Sequence, residues 1–438
     1  MFMSRHVLTA SGGLGLPSMT EREAARLSWA LMGLSLLLIL CGLAVLTLKK
    51  PGSVELIAVP WLVAAVVAAV LVQSLALRAR LSPWLVPLAV FFASVGIVEI
   101  ARLKPSLLIP QLRWLLIGLA VFVLVLKFGR QIVGLTAYQY ILGLACLILL
   151  ALPLLFGTEI GGSRNWLVLG PVQVQPSEFS KILLVLFLSA YLADHQDVLT
   201  KTRRWLGFFR LPPIRFIAPL LCIWGMAILM FVVARDLGSA LLFFGIAIFM
   251  TYMATGSRSY VVIALAVFGL AAAISYAAFG HVRVRFDIWW NPWADPNGMA
   301  YQVVQSLFAF GSGGVWGTGF AHGHPGLIPE VHTDFIFAAV AEELGLIGAL
   351  AVVVAYAAFF LVGIRIALRS SGVEKILLAA GTSVVFLLQA FIIMAGVTKF
   401  LPLTGITLPF VSYGGSSMVS GFFLLAILAA LSRKEAAA

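Results

Sequence analysis

The amino-acid sequence predicts an all-α polytopic integral membrane protein, a bundle of about twelve transmembrane helices with one large extracytoplasmic loop. Of its 438 residues, 62% are hydrophobic and only 11% charged, against about 45–50% and about 25% in a soluble domain. Twelve apolar stretches approach the roughly 20 residues that cross a bilayer. The net charge of +12 is carried mostly by short segments between those stretches, which points to a membrane and away from nucleic acid.

The expected passes are 28–47, 55–76, 83–100, 112–128, 135–156, 178–193, 214–232, 237–254, 259–279, 335–363, 376–398 and 411–431. The fourth and sixth are short, the eighth opens beside a charged pair, and the tenth is overlong and carries Glu342 and Glu343. Residues 1–27 are polar, form no cleavable signal peptide, and are expected as a cytoplasmic tail. Lys and Arg in short loops set orientation. Eighteen of the 29, from Arg5 and Arg22 to Arg433 and Lys434, fall in one set of alternate loops. That set should face the cytoplasm with both termini, leaving the 280–334 loop outside. Lys49 and Lys50 run against the rule and are read as snorkelling at a helix end. Cys41, Cys146 and Cys222 lie in apolar runs without a CxxC pair and are read as buried small hydrophobes.

Three polar clusters gather on the outer side. In the first, Arg164, Asn165 and Trp166 precede Gln175-Pro176-Ser177-Glu178 and Lys181. Pro176 suits the first position of a helix, and Glu178 the positive end of its dipole. Glu178 and Lys181, three apart, share a face, either as a structural ion pair or as the lining of a polar cavity. Trp166 reads as an interface anchor or a sugar platform. In the second cluster Asp236 can cap the next helix while Gly238 permits close helix contact; structural pairing and a cavity role both remain open.

The third cluster is the long loop, with Arg283, Arg285, the tryptophans at 289, 290 and 293, glycines 311–319, and Glu330, His332 and Asp334. The glycine run lacks the Lys-Ser/Thr of a P-loop, although its amides could cradle an anion. His322, His324 and His332 could supply three zinc ligands, but glycine-rich surroundings hold a ligand shell poorly. Thr333 or Asp334 could cap the helix that follows. Asp334 is expected to stay ionised there, and its carboxylate could accept a proton from an attacking hydroxyl.

The ordered stretches GGSRNWLVLGPVQVQPSEFSK (161–181), RDLGSA (235–240), WNPWADPNGMAYQVVQSLFAFGSGGVWGTG (290–319), PEVHTDFIFAAVAEELGLIG (329–348) and LPLTGITLPFVSYGGSS (401–417) resemble the SEDS (shape, elongation, division and sporulation) proteins, polytopic peptidoglycan glycosyltransferases. The resemblance covers about 83–434. It divides the chain into a tail (1–27), two additional N-terminal helices (28–80), expected to pack or dock a partner, and a SEDS-like membrane domain (81–434). Arg235 stands where the family usually has proline, and Asn165 where many members have arginine.

The resemblance implies polymerisation of lipid II on the outer face of the membrane, with loss of undecaprenyl pyrophosphate and inversion to a β-1,4 link. It implies Asp334 as the catalytic acidic residue. Glu330, His332, Arg283, Arg285, Lys181, Glu178, Trp166, Arg164 and Asp236 are then the substrate-binding candidates, with Arg283, Arg285 and Lys181 facing the leaving pyrophosphate. A divalent cation such as Mg or Mn, shared between carboxylates and the pyrophosphate, fits such a site better than zinc; no organic cofactor is expected. A class B penicillin-binding protein transpeptidase is the partner implied. The WNPW stretch (290–293) leans toward the division branch of the family over the elongation branch. The other readings are a lipid II flippase and a noncatalytic scaffold. Polar residues biased to one face, not spread through the midplane, weigh against a transporter.

Overall fold

The structure, a computed structural model, describes residues 19–49, 55–160, 163–170, 172–201, 204–206, 209–211 and 214–433. Most of the expected tail (1–18) lies outside the described residues, as do Lys50, Gly161, Gly162, Arg203 and Lys434. Helices stand at all twelve expected passes. They are α1 (Glu21–Lys49), α2 (Ala58–Arg78), α3 (Leu85–Leu103), α4 (Leu108–Lys127), α6 (Gln139–Phe156), α7 (Pro176–Asp194), α9 (Ile214–Val232), α10 (Leu237–Thr255), α11 (Arg258–Ala278), α14 (Ile336–Arg369), α15 (Val373–Val397) and α16 (Gly415–Leu431). Among the described residues, ten helices are long and apolar enough to cross a membrane, and apolar helices at Arg215–Met230 and Gly415–Leu431 are shorter. Short helices α5 (Gly129–Gly134) and α8 (Gln196–Lys201) lie between passes, with an antiparallel pair β4 (Arg204–Leu206) and β5 (Phe209–Leu211). A three-stranded antiparallel sheet, β1 (Thr158–Ile160), β2 (Ser163–Leu169) and β3 (Val172–Val174), joins α6 to α7.

Local chemistry sets the helix ends. The Thr20 amide donates to Glu23 Oε2 (2.8 Å) and the Glu23 amide to Thr20 Oγ1 (3.3 Å), a reciprocal cap. It starts α1 at Glu21, so residues 21–27 belong to the helix and not to a tail. Pro176 opens α7 as expected. Asp236 caps α10, whose other end stops at left-handed Gly256 (φ 63°).

Helices α3, α7, α15 and α16 are buried on most sides and form the centre, while α1, α2, α6 and α11 turn mostly apolar faces outward. The centre packs through small residues, as membrane helices do. Gly381 lies against Met250, Gly118 against Phe422, and Gly363 against Ser383, each leaving no room for a Cβ. Cys146 is buried, whereas Cys41 and Cys222 lie exposed on the outside of the bundle, so the expectation of burial holds for one of three.

Hydrogen bonds between distant segments sort the ends into the two expected sets. Gln139 meets Asp194 (2.7 Å), Gln196 meets Ala254 (2.9 Å) and the Ser82 amide meets Ser432 (2.8 Å) at one end. At the other, Arg102 reaches the Gly323 carbonyl (2.7 Å), Asn165 meets Asp236 (3.0 Å) and Trp289 meets the Lys399 carbonyl (3.2 Å). Lys49 Nζ donates to the Ala321 carbonyl (3.3 Å) at that same end, a tie to the outer loop that the snorkelling reading missed.

The expected 280–334 loop is partly helical, with α12 (Gly280–Trp290) and α13 (Tyr301–Gly313). Nor is α14 continuous: Gly345 (φ 67°, ψ −168°) breaks it. The backbone groups freed by the break are taken up by the glycine run. The Leu346 amide donates to the Gly314 carbonyl (2.9 Å), and the Thr318 and Gly319 amides donate to the Glu342 and Glu343 carbonyls (2.9 and 3.0 Å). The Thr318 and Gly319 amides are therefore spent on the broken helix and are not available to cradle an anion. Satisfying broken backbone from within is what a low-dielectric surround demands.

Candidate active site

Asp334 lies two residues before α14. Phe335 holds the N-cap position and no side chain caps there, so neither Thr333 nor Asp334 does the capping that its position suggested. The Thr333 and Asp334 amides both donate to the Glu330 carbonyl (3.1 and 3.2 Å). That tight turn holds Glu330 at φ 53°, a left-handed conformation costly for a residue with a Cβ and typical of functional sites. The segment between α15 and α16 grips the turn from the other side. The Tyr413 amide donates to the His332 carbonyl (3.0 Å), and Ser412 Oγ to the Thr333 carbonyl (2.5 Å). Gly405 lies beside the carboxyl: a Cβ there would stand in ordinary contact, 3.6 Å from Asp334 Oδ2.

The half-buried Asp334 carboxyl is thus held by its backbone. Burial, and then the Glu330 carboxylate, raise its pKa to about 7; the Thr333 hydroxyl and Arg285 act the other way, and Asp236 adds to the rise. The expectation that a helix start would keep it fully ionised is corrected: desolvation wins, and both protonation states are populated near neutral pH. His332 is buried, with Nε2 3.7 Å from Glu330 Oε2. Burial, with Lys104 nearby, pushes its pKa below the usual histidine range, partly offset by Glu330. Its imidazole is neutral near pH 7, and Glu330, His332 and Asp334 converge as their spacing suggested.

The structure separates the two arginines of α12. Arg285 is half-buried and donates Nη2 to the Arg235 carbonyl (3.0 Å). Burial lowers its pKa, while Asp236 and Asp334, both within electrostatic reach, oppose that. Arg283 is exposed, donates to the Ala277 carbonyl (3.1 Å) and lies 5.7 Å from the Tyr276 ring centre. Pairing Arg283 with Arg285 at the leaving group is therefore corrected: Arg285 faces the acids and Arg283 turns away.

Asp236 is 2% exposed and fully engaged. Oδ1 accepts from the Ser239 amide (2.9 Å), and Oδ2 from Ser239 Oγ (2.8 Å) and Asn165 Nδ2 (3.0 Å). Asn165 thereby ties β2 to the start of α10. Arg235 (φ 57°) pairs with Glu159 (3.2 Å) at the exposed surface and not with Asp236. Arg164 Nε donates to the Gly157 carbonyl (2.9 Å) in the exposed hairpin, and Trp166 is half-buried on β2. The close approach expected at Gly238 is made by Ile406 and Thr404.

Glu178 and Lys181 do share a face, paired at 2.5 Å, but both are buried. Lys181 Nζ also donates to Gln389 Oε1 (2.9 Å), and Ser420 Oγ donates to Glu178 Oε2 (2.6 Å). Gln389 continues to the Thr407 carbonyl (3.0 Å), so one network joins α7, α15 and α16 to the 398–414 segment that grips Asp334. Glu342 accepts from the His324 amide (2.7 Å), and Glu343 pairs with Arg102, so each is committed to a partner of its own. Gln389, Ser420 and Ser412 were not singled out from the sequence. Gln389 and Ser420 carried a signal, being polar groups inside apolar spans. Among the described residues, no group of three or more His, Cys, Asp or Glu could by itself hold a metal ion.

Three comparisons bear on this geometry. The model of the FtsW/RodA/SpoVE family, described as cell cycle protein, matches residues 84–437. A peptidoglycan glycosyltransferase RodA from Mycobacterium tuberculosis is 41% identical over 364 residues, covering 80% of this chain and 77% of that one. Of solved structures, a chain of a peptidoglycan synthase complex that coordinates polymerization and crosslinking aligns with TM-score 0.65 at 27% identity, over 80% of this chain and 96% of that one. The rod shape determining protein RodA of Thermus thermophilus aligns with TM-score 0.56 at 26% identity, over 80% and 95%.

Proposed function

The chain belongs to the FtsW/RodA/SpoVE (SEDS) family of peptidoglycan glycosyltransferases of the bacterial inner membrane, and from that premise we propose that it polymerises lipid II by inverting displacement at Asp334. The acceptor's sugar 4-hydroxyl attacks the donor's anomeric carbon. The bond from that carbon to the pyrophosphate oxygen breaks, undecaprenyl pyrophosphate leaves, and Asp334 takes the hydroxyl proton. The observation that carries this is Asp334 itself: a half-buried carboxyl near pKa 7, fixed through its backbone at one end of a membrane bundle, with Arg285 in electrostatic reach. A base poised near the working pH is the most effective kind, and a cation facing the leaving group stabilises charge that grows in the transition state.

A divalent ion such as Mg or Mn fits the donor set. Magnesium commonly uses one or two carboxylates together with substrate phosphates, and Glu330 presents an exposed carboxylate beside Asp334. Glu330 would hold the ion together with the substrate phosphates, leaving Asp334 free as the base, and the ion would neutralise pyrophosphate charge. The elongation branch is supported over the division branch by the likeness to RodA proteins. A transpeptidase of the class B penicillin-binding type is the proposed partner, supported by the likeness to a chain of a complex that couples polymerization to crosslinking.

The test is polymerisation of labelled lipid II by purified protein. Wild type should make glycan polymer, and Asp334→Asn should fall by at least ~100-fold with folding unchanged. Near-normal rates for Asp334→Asn beside collapse for Glu330→Gln would move the base to Glu330. Lipid II translocation into vesicles without polymer would replace the reading with a flippase.

A further inference from the structure

The start of α12 is lightly held, and it carries a buried polar atom that the proposed reaction does not use. Val282 is fully buried against Leu237 and Ala240, with Val232, Leu241 and Phe286 around them, in a small apolar cluster separate from the main core. No side chain caps the helix. So few buried contacts leave an element locally weak. Beyond this cluster, Arg285 adds its bond to the Arg235 carbonyl (3.0 Å), and Trp289 ties the far end to the Lys399 carbonyl (3.2 Å).

His281 lies beside Val282 in the first turn. It precedes Arg285 by four residues, so the two share a face of the helix. Its Nε2 is buried and has no hydrogen-bond partner among the described residues. A protonated imidazole carries a hydrogen on both nitrogens. Protonation would therefore place a buried donor at Nε2 with nothing to receive it, which is costly. The charge is unwelcome as well, because Arg235 and Arg285 both lie within electrostatic reach of the ring. The acids nearby are committed. Glu159 pairs with Arg235, Asp236 is held by Ser239 and Asn165, and Asp287 accepts from Tyr276 on the side of α12 that Arg283 faces. Burial and then Arg235 push the His281 pKa below the usual histidine range; the Val232 carbonyl opposes, and Arg285 adds to the fall.

We propose that His281 is a positioning residue for Arg285: its neutral imidazole lets α12 dock, and its protonation releases the start of α12 and withdraws Arg285 from Asp334. The docked helix binds fewer protons than the released one, so docking weakens as pH falls through the histidine range. Asp334 also loses turnover as pH falls, so docking of the helix is the readout that separates the two groups. The consequence for turnover rests on the polymerase reading; the docking itself does not.

Hydrogen exchange of the α12 amides in the full-length protein tests it, with His281→Gln as the form that stays neutral and His281→Arg as the form that stays charged. At about pH 8 wild type and His281→Gln should exchange alike, and His281→Arg at least about fivefold faster. At about pH 5 wild type should exchange as fast as His281→Arg and at least about fivefold faster than His281→Gln. Comparing variants at one pH removes the effect of pH on intrinsic exchange. Wild type and His281→Gln that stay alike at both values, or a His281→Gln helix already loose at the higher one, would overturn the proposal. Lipid II polymerisation gives the second readout. The ratio of saturated turnover, His281→Gln over wild type, should rise at least about fivefold between the same two values, since Asp334 titrates in both proteins. A flat ratio beside pH-dependent exchange would overturn the link to Arg285. Absence of polymer from the wild type would instead strike the polymerase reading and leave hydrogen exchange to decide the docking.

Discussion

Two of the groups of ionisable residues within this bundle differ in how completely they are satisfied. In the interior, Lys181, Glu178, Gln389 and Ser420 bond one another in a closed network. At the outer end, Asp334 has a carboxyl raised to about 7 by burial and by Glu330, and Arg285 faces two acids without a direct pair to either. A charge removed from water persists when its partners repay its desolvation. Where repayment is incomplete the cost remains as a shifted pKa, which is the state a proton-transfer group needs. The comparison teaches that the first group is built to hold helices together, while the second is the one suited to the proposed chemistry.

The largest effect that would sharpen this contrast is on stability. Lys181→Ala leaves the Glu178 carboxylate buried with Ser420 as its remaining side-chain partner, and breaking a buried pair from one side costs about 3–5 kcal/mol. Thermal unfolding in detergent should show a large drop, most of it recovered when Lys181→Met is combined with Glu178→Gln. A lone Lys181→Ala that melts like wild type but has lost turnover would break the contrast and return Lys181 to the leaving group.

Asp334→Asn should behave in the opposite way. Its folded-state pKa lies above the unfolded value, so the folded chain binds more protons between about pH 4 and pH 7. Ionising Asp334 therefore works against the fold as pH rises. The amide variant should melt at a temperature equal to or above wild type at pH 8, while losing polymerisation. A destabilised Asp334→Asn would place Asp334 among the structural groups.

A smaller effect separates the two arginines. Arg285→Ala should lower saturated turnover by about 10-fold or more, whereas Arg283→Ala should change it by less than about twofold, since Arg283 packs on Tyr276 at the surface. Equal losses in both, measured as initial rates at saturating lipid II, would remove the distinction that the orientation of α12 draws between them.

That distinction also marks where the sequence stopped being legible. Twelve passes could be read because length and apolarity suffice to cross a bilayer. Asp334, Glu330 and His332 could be read because three chemistry-bearing residues fall within five positions, in a motif shared with a known family. Residues 283 and 285 lie about 200° apart on a helix and would have been separated had α12 been recognised, but a short interfacial helix leaves no long apolar run. The break at Gly345 depends on Gly314, Thr318 and Gly319 folding back across 24 to 32 residues, a pairing invisible to local pattern. The raised pKa of Asp334 comes first from burial and then from Glu330, and burial by the 398–414 segment leaves no local pattern around Asp334 to read.

The smallest effect is a shift along the pH axis. If Asp334 acts as the base in its ionised form, turnover should rise with pH through about 7 and then level off. Glu330 is the largest electrostatic contributor to the raised value after burial itself, and Arg285 opposes it. Glu330→Gln should therefore move the midpoint of kcat/KM to lower pH, and Arg285→Lys, which keeps the charge, should move it little. Both profiles report the free enzyme, so differences in lipid II affinity at saturation do not confuse them. A midpoint that stays fixed in Glu330→Gln, or one that rises, would mean that the group titrating in the rate is not the Asp334 carboxyl beside Glu330, and the outer cluster would lose the feature that sets it apart from the buried network below it.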